Sequence, residues 1–263
     1  MNKTMVTTAS CMVLLSQTIL ADVVKVSDVE KEYTVTSEVS AAKSLKQQLD
    51  FGLSSTTGNS ETLNINGKYA LSVTTQGYAQ RALKVAFDAS AFMTKNDGIR
   101  DNEEYTANLG LEQEVYEGWL GYASLNWLRN TFRNFDNKYS VGAGVGKKVI
   151  DTMVQSLTLK LGVAYNLEDY SNSQTNSDYT SLNEYVEYQR QFNEVSRLYV
   201  KVGASQNFDD FSDYDVLAVA GLHFAVAENV SLSLEEEVRY DHIPPVGFDK
   251  TDTKSIVRVG YSF

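Results

Sequence analysis

The sequence predicts an all-β protein: a transmembrane antiparallel up-and-down β-barrel of about twelve strands, with short periplasmic turns and longer outer loops. Apolar residues recur at every second position along most of the chain, which is the period of a strand with one apolar face. The connections between these segments alternate between short and longer, more polar ones. The composition agrees, since 16 Tyr and 11 Phe accompany 16 Gly and only 2 Pro in 263 residues.

The alternation starts at Leu45 and defines the strands in chain order. In each segment the apolar residues share one face, and small or polar residues share the other. Residues 157–167 show the most regular alternation, whereas Glu184 and Arg190 interrupt the apolar face of the eighth segment. The predicted strands cover residues 45–53, 63–71, 83–91, 105–111, 119–127, 139–149, 157–167, 182–192, 198–204, 218–226, 232–240 and 257–263.

Short connections and longer connections alternate along the chain, so each end of the barrel is predicted to carry one kind. A polar loop is predicted over residues 94–102 and another over 169–178, and only the first outer connection, at Gly58, is short. A membrane barrel has short periplasmic turns and longer outer loops, whereas a soluble β-sandwich has no reason to keep this parity. Short turns are predicted near Gly77, Glu117, Asp151, Glu194 and Glu228, and longer loops near Asn96, Asn134, Ser173, Asp210 and Val246.

The last strand ends the chain on an aromatic residue. Val257, Val259, Tyr261 and Phe263 share one face, while Arg258 lies on the other. A terminal aromatic of this kind resembles the carboxy-terminal signal by which barrel-assembly machinery recognises such proteins, so these four outward residues are predicted to form an assembly signal. The strand is expected to pair with the first strand near residues 49–53, which would leave no edge exposed to lipid.

Aromatic residues occur near both ends of the predicted strands, where a membrane barrel has two belts of aromatic side chains, called girdles. Trp119 adjoins a short turn, and Trp127 follows eight positions along the same face, a separation of roughly 20 Å along the barrel axis. That distance compares with an apolar band about 25 Å tall. The alternative is that these residues form the core of a sandwich. The predicted periplasmic girdle contains Trp119, Tyr261 and Phe263, and the predicted outer girdle contains Trp127, Tyr105, Tyr165 and Tyr240.

Residues 1–21 are predicted to be a secretory signal peptide. Lys3 supplies a positive start, an apolar run follows, and Ala21 is the small residue that a signal peptidase needs. The run of roughly a dozen apolar residues is shorter than the ~20 of a spanning helix. The single cysteine, Cys11, falls in this segment, so the mature chain is expected to have no thiol chemistry. Cleavage near Ala21 predicts export to the outer membrane of a Gram-negative bacterium.

The rest of the chain divides into two parts. Residues 22–44 are charged and rich in Ser and Thr, and they are predicted to be a periplasmic segment, either a linker or a plug in the barrel mouth. Residues 45–263 are predicted to form the barrel. The expected partners are outer-membrane lipid and lipopolysaccharide, with the assembly machinery during biogenesis, and the barrel is expected to be a monomer. The net charge of −11 argues against a nucleic-acid partner, since a phosphate backbone needs a basic surface.

Three stretches carry a family resemblance. They are Gly58–Thr62 at the first hairpin, Tyr139–Gly146 leading into Val149–Thr152, and the strand Leu161–Tyr165. On these stretches the chain resembles domain of unknown function 481, the YdiY-like salt-induced outer-membrane proteins, over residues 45–263. The resemblance implies an outer-membrane barrel. It implies no catalytic residues, because the family has no established activity.

Enzymatic and metal sites find little support in the residues. Barrel hydrolases need a histidine beside a serine and an orienting group, and neither His223, expected to face inward, nor His242 lies in a nucleophile motif. No enzyme activity and no cofactor are therefore expected. Asp209, Asp210, Asp213 and Asp215 form an acidic stretch without the spacing of an EF-hand. It is interpreted as a solvated loop, with a dedicated metal site or loose cation contact with lipopolysaccharide as alternatives.

The inner face of the predicted barrel is charged with both signs. This lining could border a narrow aqueous path, which predicts a porin-like channel for small solutes, or it could pair across the barrel as a structural network, which predicts a filled-lumen barrel for envelope integrity or stress tolerance. A secreted soluble β-protein that binds a ligand is the third alternative. Gly142, Gly144 and Gly146 leave one wall bare, which favours a cavity there or the close approach of a neighbouring segment. The predicted lumen-lining charges are Asp50, Lys68, Lys84, Asp88, Glu112, Lys148, Lys160, Lys201, Glu235, Glu237, Arg239 and Arg258.

Overall fold

The computed structural model describes residues 44–57, 62–96, 99–171, 175–245 and 247–263. The predicted signal peptide and nearly all of the predicted periplasmic segment, and also the connection at Gly58, lie outside these ranges. Two single-turn 3-10 helices occur within them, Tyr78–Gln80 and Thr131–Arg133. In the described part of the chain, no helix is long and apolar enough to cross a membrane. The strands are β1 Ser44–Thr57, β2 Thr62–Gln76, β3 Ala82–Asn96, β4 Ile99–Tyr116, β5 Trp119–Asn130, β6 Phe135–Asp151, β7 Gln155–Tyr170, β8 Ser177–Gln191, β9 Ser196–Asn207, β10 Tyr214–Ala227, β11 Val230–Asp241 and β12 Thr251–Ser262.

The twelve strands close into one antiparallel barrel. Each strand pairs with its neighbours in sequence, and β1 pairs with β12, so Leu49 lies opposite Tyr261 and Phe51 opposite Val259. The predicted pairing of the last strand with the first is therefore confirmed. Every strand has two partners, so the sheet presents no open edge, and the sandwich alternative is excluded.

The outer wall of the barrel is apolar and uncovered. Ile65 is 72% exposed, Phe51 61% and Val141 57%, and large apolar side chains on the other strands are exposed in the same way. A soluble monomer rarely exposes a continuous apolar surface of this extent. A closed barrel satisfies all strand hydrogen bonds internally, so this surface can face hydrocarbon. The fold is that of a transmembrane barrel, as the alternation predicts.

The two ends of the barrel differ in their connections. The turn end carries residues 77–81, 117–118, 152–154, 192–195 and 228–229, and the loop end carries 131–134, 171–176, 208–213 and 242–250, of which the last three are longer than any of these turns. The loop predicted over 94–102 is wrong, because β3 continues to Asn96 and β4 starts at Ile99, with Asn96 opposite Ile99. Apolar alternation stops where strands leave lipid, although their backbones go on pairing.

Strand β8 forms in full although its apolar face is interrupted. It runs from Ser177 to Gln191, pairs with β7 over residues 177–190 and pairs with β9 over residues 181–191. Glu184 is exposed on the outer wall between Leu161 of β7 and Ala204 of β9. The neighbouring strands thus fix the register of β8 despite this polar position.

Turn chemistry explains the tight connection between β4 and β5. Glu117 and Gly118 both have positive φ, 21° and 76°, as a two-residue hairpin with the twist of its strands requires. Glycine has no Cβ, so Gly118 adopts its positive φ without the steric strain that another residue would have there. The carboxylate of Glu114 accepts a hydrogen bond from the Gly118 N–H at 3.3 Å.

Tyrosines on the inner face lie against glycines of neighbouring strands. The ring of Tyr122 covers Gly144 and Gly162, so a Cβ added at Gly162 would collide with the Tyr122 hydroxyl. Tyr199 covers Gly221 in the same way. The bare glycine wall is thus filled by close approach of the adjoining strand.

Candidate functional site

The barrel interior holds all twelve of the charged residues that strand parity assigns to it. Seven of them border a cavity near the turn end, and four others, with three of the seven, border a second cavity near the loop end. Asp50 lies on the same inner wall, where it is buried and accepts a 2.7 Å hydrogen bond from Gln48. Strand alternation thus places these residues on the inner wall but leaves their partners undefined.

The turn-side cavity has a volume of about 360 Å³. Its wall is built from β2 to β8 together with β9, and it includes the rings of Tyr122 and Tyr185, which meet edge to face with centroids 6.4 Å apart. The described residues of this wall include five lysines and three carboxylates. They are Lys68, Lys84, Lys148, Lys160 and Lys201, with Asp88, Glu112 and Glu187.

The loop-side cavity is larger, about 520 Å³. Among its described lining residues, seven are basic and five are acidic. The basic residues are Lys68, Arg133, Lys138, Lys201, Arg239, Lys254 and Arg258, and the acidic residues are Asp88, Glu104, Asp215, Glu235 and Glu237. Four further carboxylates, Glu114, Asp151, Glu168 and Asp241, pair with cations of these two walls, and with them the basic and acidic residues are equal in number at each cavity.

Five residues line both cavities and are called the collar below. Its members are Lys68, Asp88, Asn126, Tyr185 and Lys201, each of which lines both cavities. Asp88 accepts a hydrogen bond from Asn108 at 2.8 Å, which fixes its carboxylate against the wall. The collar therefore contains two ammonium groups and one carboxylate.

Two ion pairs at the turn-side cavity connect strands that are not neighbours, Lys160 with Glu112 and Lys148 with Glu114. Lys160 of β7 lies 2.8 Å from Glu112 of β4 and 3.4 Å from Glu187 of β8. Lys148 lies 3.8 Å from Glu114 and 3.6 Å from Asp151. The Nζ of Lys148 is buried without a hydrogen-bond partner among the described residues. The ammonium is thus enclosed by the protein, and the two carboxylates balance its charge.

Ion pairs near the loop end cross the mouth of the barrel. Lys254 of β12 donates to both carboxylate oxygens of Glu104 of β4, at 2.6 and 2.7 Å, although three strands separate β12 from β4. Arg133, on the 3-10 turn between β5 and β6, donates to Asp241 at the end of β11 at 2.6 Å. These contacts join strands that are far apart around the barrel.

Further contacts hold the remaining charges of the loop-side wall. Arg258 donates to Glu235 and, at 3.2 Å, to Asn66. Lys138 lies 2.6 Å from Glu168, and the pair is buried. Sequence reasoning missed several lumen charges, although the same alternation contains the signal for the strand residues. The missed residues are Glu104, Arg133, Lys138, Glu168, Glu187, Asp215 as a lumen residue, and Lys254.

The predicted girdle residues lie on the outer wall with polar contacts. The Trp127 indole donates to Asn137 at 3.0 Å, and the Tyr165 hydroxyl donates to Asp178 at 2.7 Å. The Tyr240 hydroxyl bonds His242 at 3.0 Å, and the Tyr105 hydroxyl donates to Glu103 at 3.2 Å. Such residues have an apolar body and a polar tip, which suits the boundary between lipid and water.

The turn-end aromatics are also on the outer wall. The ammonium of Lys147 lies 5.0 Å from the ring of Trp119, and the rings of Tyr261 and Phe263 stack with centroids 6.3 Å apart. Val257 and Val259 continue the same exposed stripe. The four residues of the predicted assembly signal therefore form one continuous outward surface.

The acidic stretch does not converge on one point. Asp210 accepts hydrogen bonds from the side chain and the backbone N–H of Ser212, and these bonds lower the pKa of Asp210. Burial raises the pKa of Asp213, although Asn207 donates to it at 3.0 Å. Asp215 lies on β10 and lines the loop-side cavity instead. No group of three or more His, Cys, Asp or Glu residues suited to a metal ion occurs within the described residues.

A serine and a histidine do meet inside the barrel. The Nδ1 atom of His223 lies 3.1 Å from the Ser233 hydroxyl, and both residues are buried. The Nε2 atom has no hydrogen-bond partner in the described part of the chain, so no carboxylate orients the ring as in a catalytic triad. Neither residue lines the turn-side or the loop-side cavity. The contact therefore has the form of a packed interior pair.

A closed antiparallel barrel with an apolar outer wall and a hollow, charged interior defines the class of porin-like transmembrane barrels. The chain belongs to the family described as Protein of unknown function, DUF481, which matches residues 49–263. No curated protein matches the sequence significantly. The family resemblance noted from the three sequence stretches is thereby confirmed.

Solved structures share the fold at low sequence identity. The NanC porin is similar with a TM-score of 0.53 and 8% identity, over 81% of this chain and 98% of that one. The COG4313 outer membrane channel from Pseudomonas putida F1 is similar with a TM-score of 0.52 and 11% identity, over 87% of this chain and 98% of that one. At these identities the likeness shows the fold alone.

Proposed function

We propose that this protein is a narrow channel that lets small solutes diffuse across the outer membrane of a Gram-negative bacterium. The observation that carries the proposal is the pair of charged cavities, which lie one above the other and share the five residues of the collar. Polar lining in both cavities and at the residues that they share is what a water-filled path requires. The porin and channel functions named for the two similar structures agree with this reading.

The cavity volumes suit small solutes. The two volumes, about 360 and 520 Å³, fall within the roughly 300–1,000 Å³ of pockets that hold small molecules. Each is also many times the ~30 Å³ that one water molecule occupies in the liquid. Twelve strands enclose more space than the side-chain-filled barrels of about eight strands, and far less than the porins of about sixteen. A narrow path is the expected result.

The outer wall supports the membrane setting. Exposed apolar residues cover it, and aromatic residues with polar tips lie toward both ends. We expect contact with membrane lipid and lipopolysaccharide, assembly through the barrel-assembly machinery, and a monomeric state, since the closed sheet has no strand edge to share. Catalysis forms no part of the proposal, because the His223 and Ser233 pair lies outside both cavities.

A second candidate function rests on the ion pairs that cross the barrel mouth. Lys254 with Glu104, and Arg133 with Asp241, join walls that are far apart around the sheet. Such a network could fill the lumen and make the barrel a structural component of the envelope without transport. The channel is preferred because the barrel keeps cavities of about 360 and 520 Å³ in the presence of these contacts, whose residues Glu104, Arg133 and Lys254 form part of the wall of the larger one.

Liposome swelling separates the two functions. Folded protein is reconstituted into liposomes, and uncharged sugars of increasing size are added outside. The channel predicts fast swelling with the smallest sugars and none with oligosaccharides. Asn126→Trp, which adds a large ring at the collar, should slow the swelling strongly. Leu125→Trp adds the same ring on the adjacent outward position and should not. No swelling with folded wild-type barrel would favour the structural function.

A further inference from the structure

Two turns of the barrel carry the same pairing of an aromatic ring with a basic side chain on the outer wall. At the β4–β5 turn the ammonium of Lys147 lies 5.0 Å from the centroid of the Trp119 ring. At the β8–β9 turn the guanidinium of Arg190 lies 6.0 Å from the centroid of the Phe192 ring. The Trp119 side chain is 47% exposed and the Phe192 side chain 54%. Cations are thus held against exposed rings at the edge of the apolar wall.

A glutamate lies in each of these two turns. Glu117 is in the two-residue turn between β4 and β5, and Glu194 is in the turn between β8 and β9. Both side chains are exposed. Neither carboxylate has an ion-pair partner among the residues that the structure describes. Each turn therefore combines an aromatic ring, a cation and a carboxylate that is open to a ligand.

The ammonium of Lys147 is fixed in position but keeps hydrogen-bonding capacity. It donates to the backbone carbonyl oxygen of Glu117 at 2.8 Å. Within the described part of the chain it forms no ion pair. An ammonium has three donor hydrogens, so two remain for other acceptors. Lys147 and Glu117 thus meet through the backbone without neutralising each other, and the turn presents one cation and one anion.

The other charged side chains near the β4–β5 turn balance one another. Arg81 lies 3.2 Å from the carboxylate of Glu114. Lys148 lies 3.8 Å from the same carboxylate and 3.6 Å from that of Asp151. The lysine over the indole and the glutamate in the turn are not part of this network, so their charges are left for a ligand.

The cation and the anion of the β4–β5 turn lie at different distances from the apolar wall. Lys147 lies opposite Trp119, which is the first residue of β5. Glu117 lies two residues before Trp119, in the turn itself, and is therefore further from the lipid. A phospholipid with an amino headgroup has its charges in the same order, because the phosphate is attached to the glycerol and the ammonium ends the headgroup.

We propose that the turn end of the barrel binds a phospholipid whose headgroup has both a phosphate and a primary ammonium, as in phosphatidylethanolamine. Lys147 binds the phosphate, Glu117 accepts hydrogen bonds from the ammonium, and the acyl chains lie beside Trp119. Arg190 and Glu194 form a second site of the same kind. A choline headgroup has no N–H donor for the carboxylate, and a glycerol headgroup has no ammonium, so each fits only part of the site.

Tryptophan fluorescence measures this binding beside the turn. The chain has two tryptophans, so Trp127→Phe leaves Trp119 as the only indole. The folded protein is reconstituted into phosphatidylcholine vesicles in which a fixed fraction of the lipid has brominated acyl chains, which quench a nearby indole. The brominated lipid has an ethanolamine, a choline or a glycerol headgroup. We expect the ethanolamine lipid to be enriched about threefold over the choline lipid beside Trp119.

Two charge variants test the roles of the lysine and the glutamate. Lys147→Gln and Glu117→Gln should each lower the enrichment of the ethanolamine lipid to about one. They should have opposite effects on the glycerol lipid, because Glu117→Gln removes a repulsion from its phosphate and Lys147→Gln removes an attraction. Glu228→Gln removes an exposed carboxylate from another turn and should leave all ratios as in wild type. Trp119→Phe reports instead from Trp127 at the loop end, where no preference is expected.

The outcomes separate this inference from the proposed function, of which it needs the membrane setting but not an open lumen. Equal quenching of Trp119 by the three lipids would overturn it. Strongest quenching by the glycerol lipid would show a site for phosphate alone and would also overturn it, as would an equal ethanolamine preference at Trp127. Barrels that show the expected preference but carry no current would overturn the channel and leave the lipid site standing. Mobility on unheated gels verifies that each variant is folded.

Discussion

Removing the charge of Glu104 tests whether the cross-lumen ion pairs stabilise the barrel. Lys254 bonds both oxygens of Glu104, and their side chains are only 10% and 14% exposed. Losing one partner of a buried pair costs roughly 3–5 kcal/mol, because the other charge remains buried. Here Glu237 stays 3.6 Å from Lys254 and offsets part of that cost. Glu104→Gln is therefore expected to lower the free energy of unfolding by about 2 kcal/mol.

Urea unfolding of the barrel in lipid vesicles measures this loss, with the folded fraction followed by gel mobility and tryptophan fluorescence. Glu228→Gln is the matched control, since it removes an exposed carboxylate from the turn between β10 and β11 and should change the free energy by less than about 0.5 kcal/mol. Adding Lys254→Met to Glu104→Gln completes a double-mutant cycle, with an expected coupling of about 1–2 kcal/mol. Strict additivity in that cycle would refute a direct stabilising contact.

Three further predictions concern packing, assembly and turn geometry. Gly162→Leu should lower stability by about 2 kcal/mol in urea unfolding, because its side chain displaces the Tyr122 ring; unchanged stability would count against the ring contact. Deleting Phe263 should reduce the folded barrel in membrane fractions far more than Ser262→Ala, and equal levels would contradict the assembly signal. Gly118→Ala should cost about 1 kcal/mol, measured by the same unfolding assay, since its φ is 76°.

Strand alternation was sufficient to predict the barrel and the inward charges because both follow from one physical rule. Successive side chains point to opposite faces, so an apolar run such as 157–167 fixes which residues face lipid and which face the lumen. The same rule places Lys160 and Lys201 inside without any knowledge of the neighbouring strands. The pairing of β1 with β12 then follows from the need to close the sheet.

Alternation could not predict which charges meet. A face assignment gives neither height nor position around the barrel, and both depend on the stagger between strands. The contact of Glu104 with Lys254, which lie 150 positions apart in sequence, is visible only once the sheet has closed. Arg133 could not be predicted for another reason. It lies on a 3-10 turn in a connection whose sequence has no apolar alternation, so no face could be assigned to it.

Strand ends at the loop side were also unpredictable from apolar alternation. Residues 94–102 are polar, yet Lys95 pairs with Arg100 and β3 and β4 continue to a short hairpin. Outside the hydrocarbon layer a strand needs paired backbone groups but no apolar face. The sequence pattern therefore ends at the edge of the lipid, while the sheet extends beyond it.

Single-channel recording tests the central claim most directly, namely that the folded barrel encloses a water-filled path. Purified protein whose mobility on unheated gels shows a folded barrel is added to a planar lipid bilayer under an applied voltage. The account predicts discrete, uniform current steps, and these should disappear or shrink sharply in Asn126→Trp. Barrels that insert into the bilayer and carry no current would contradict it.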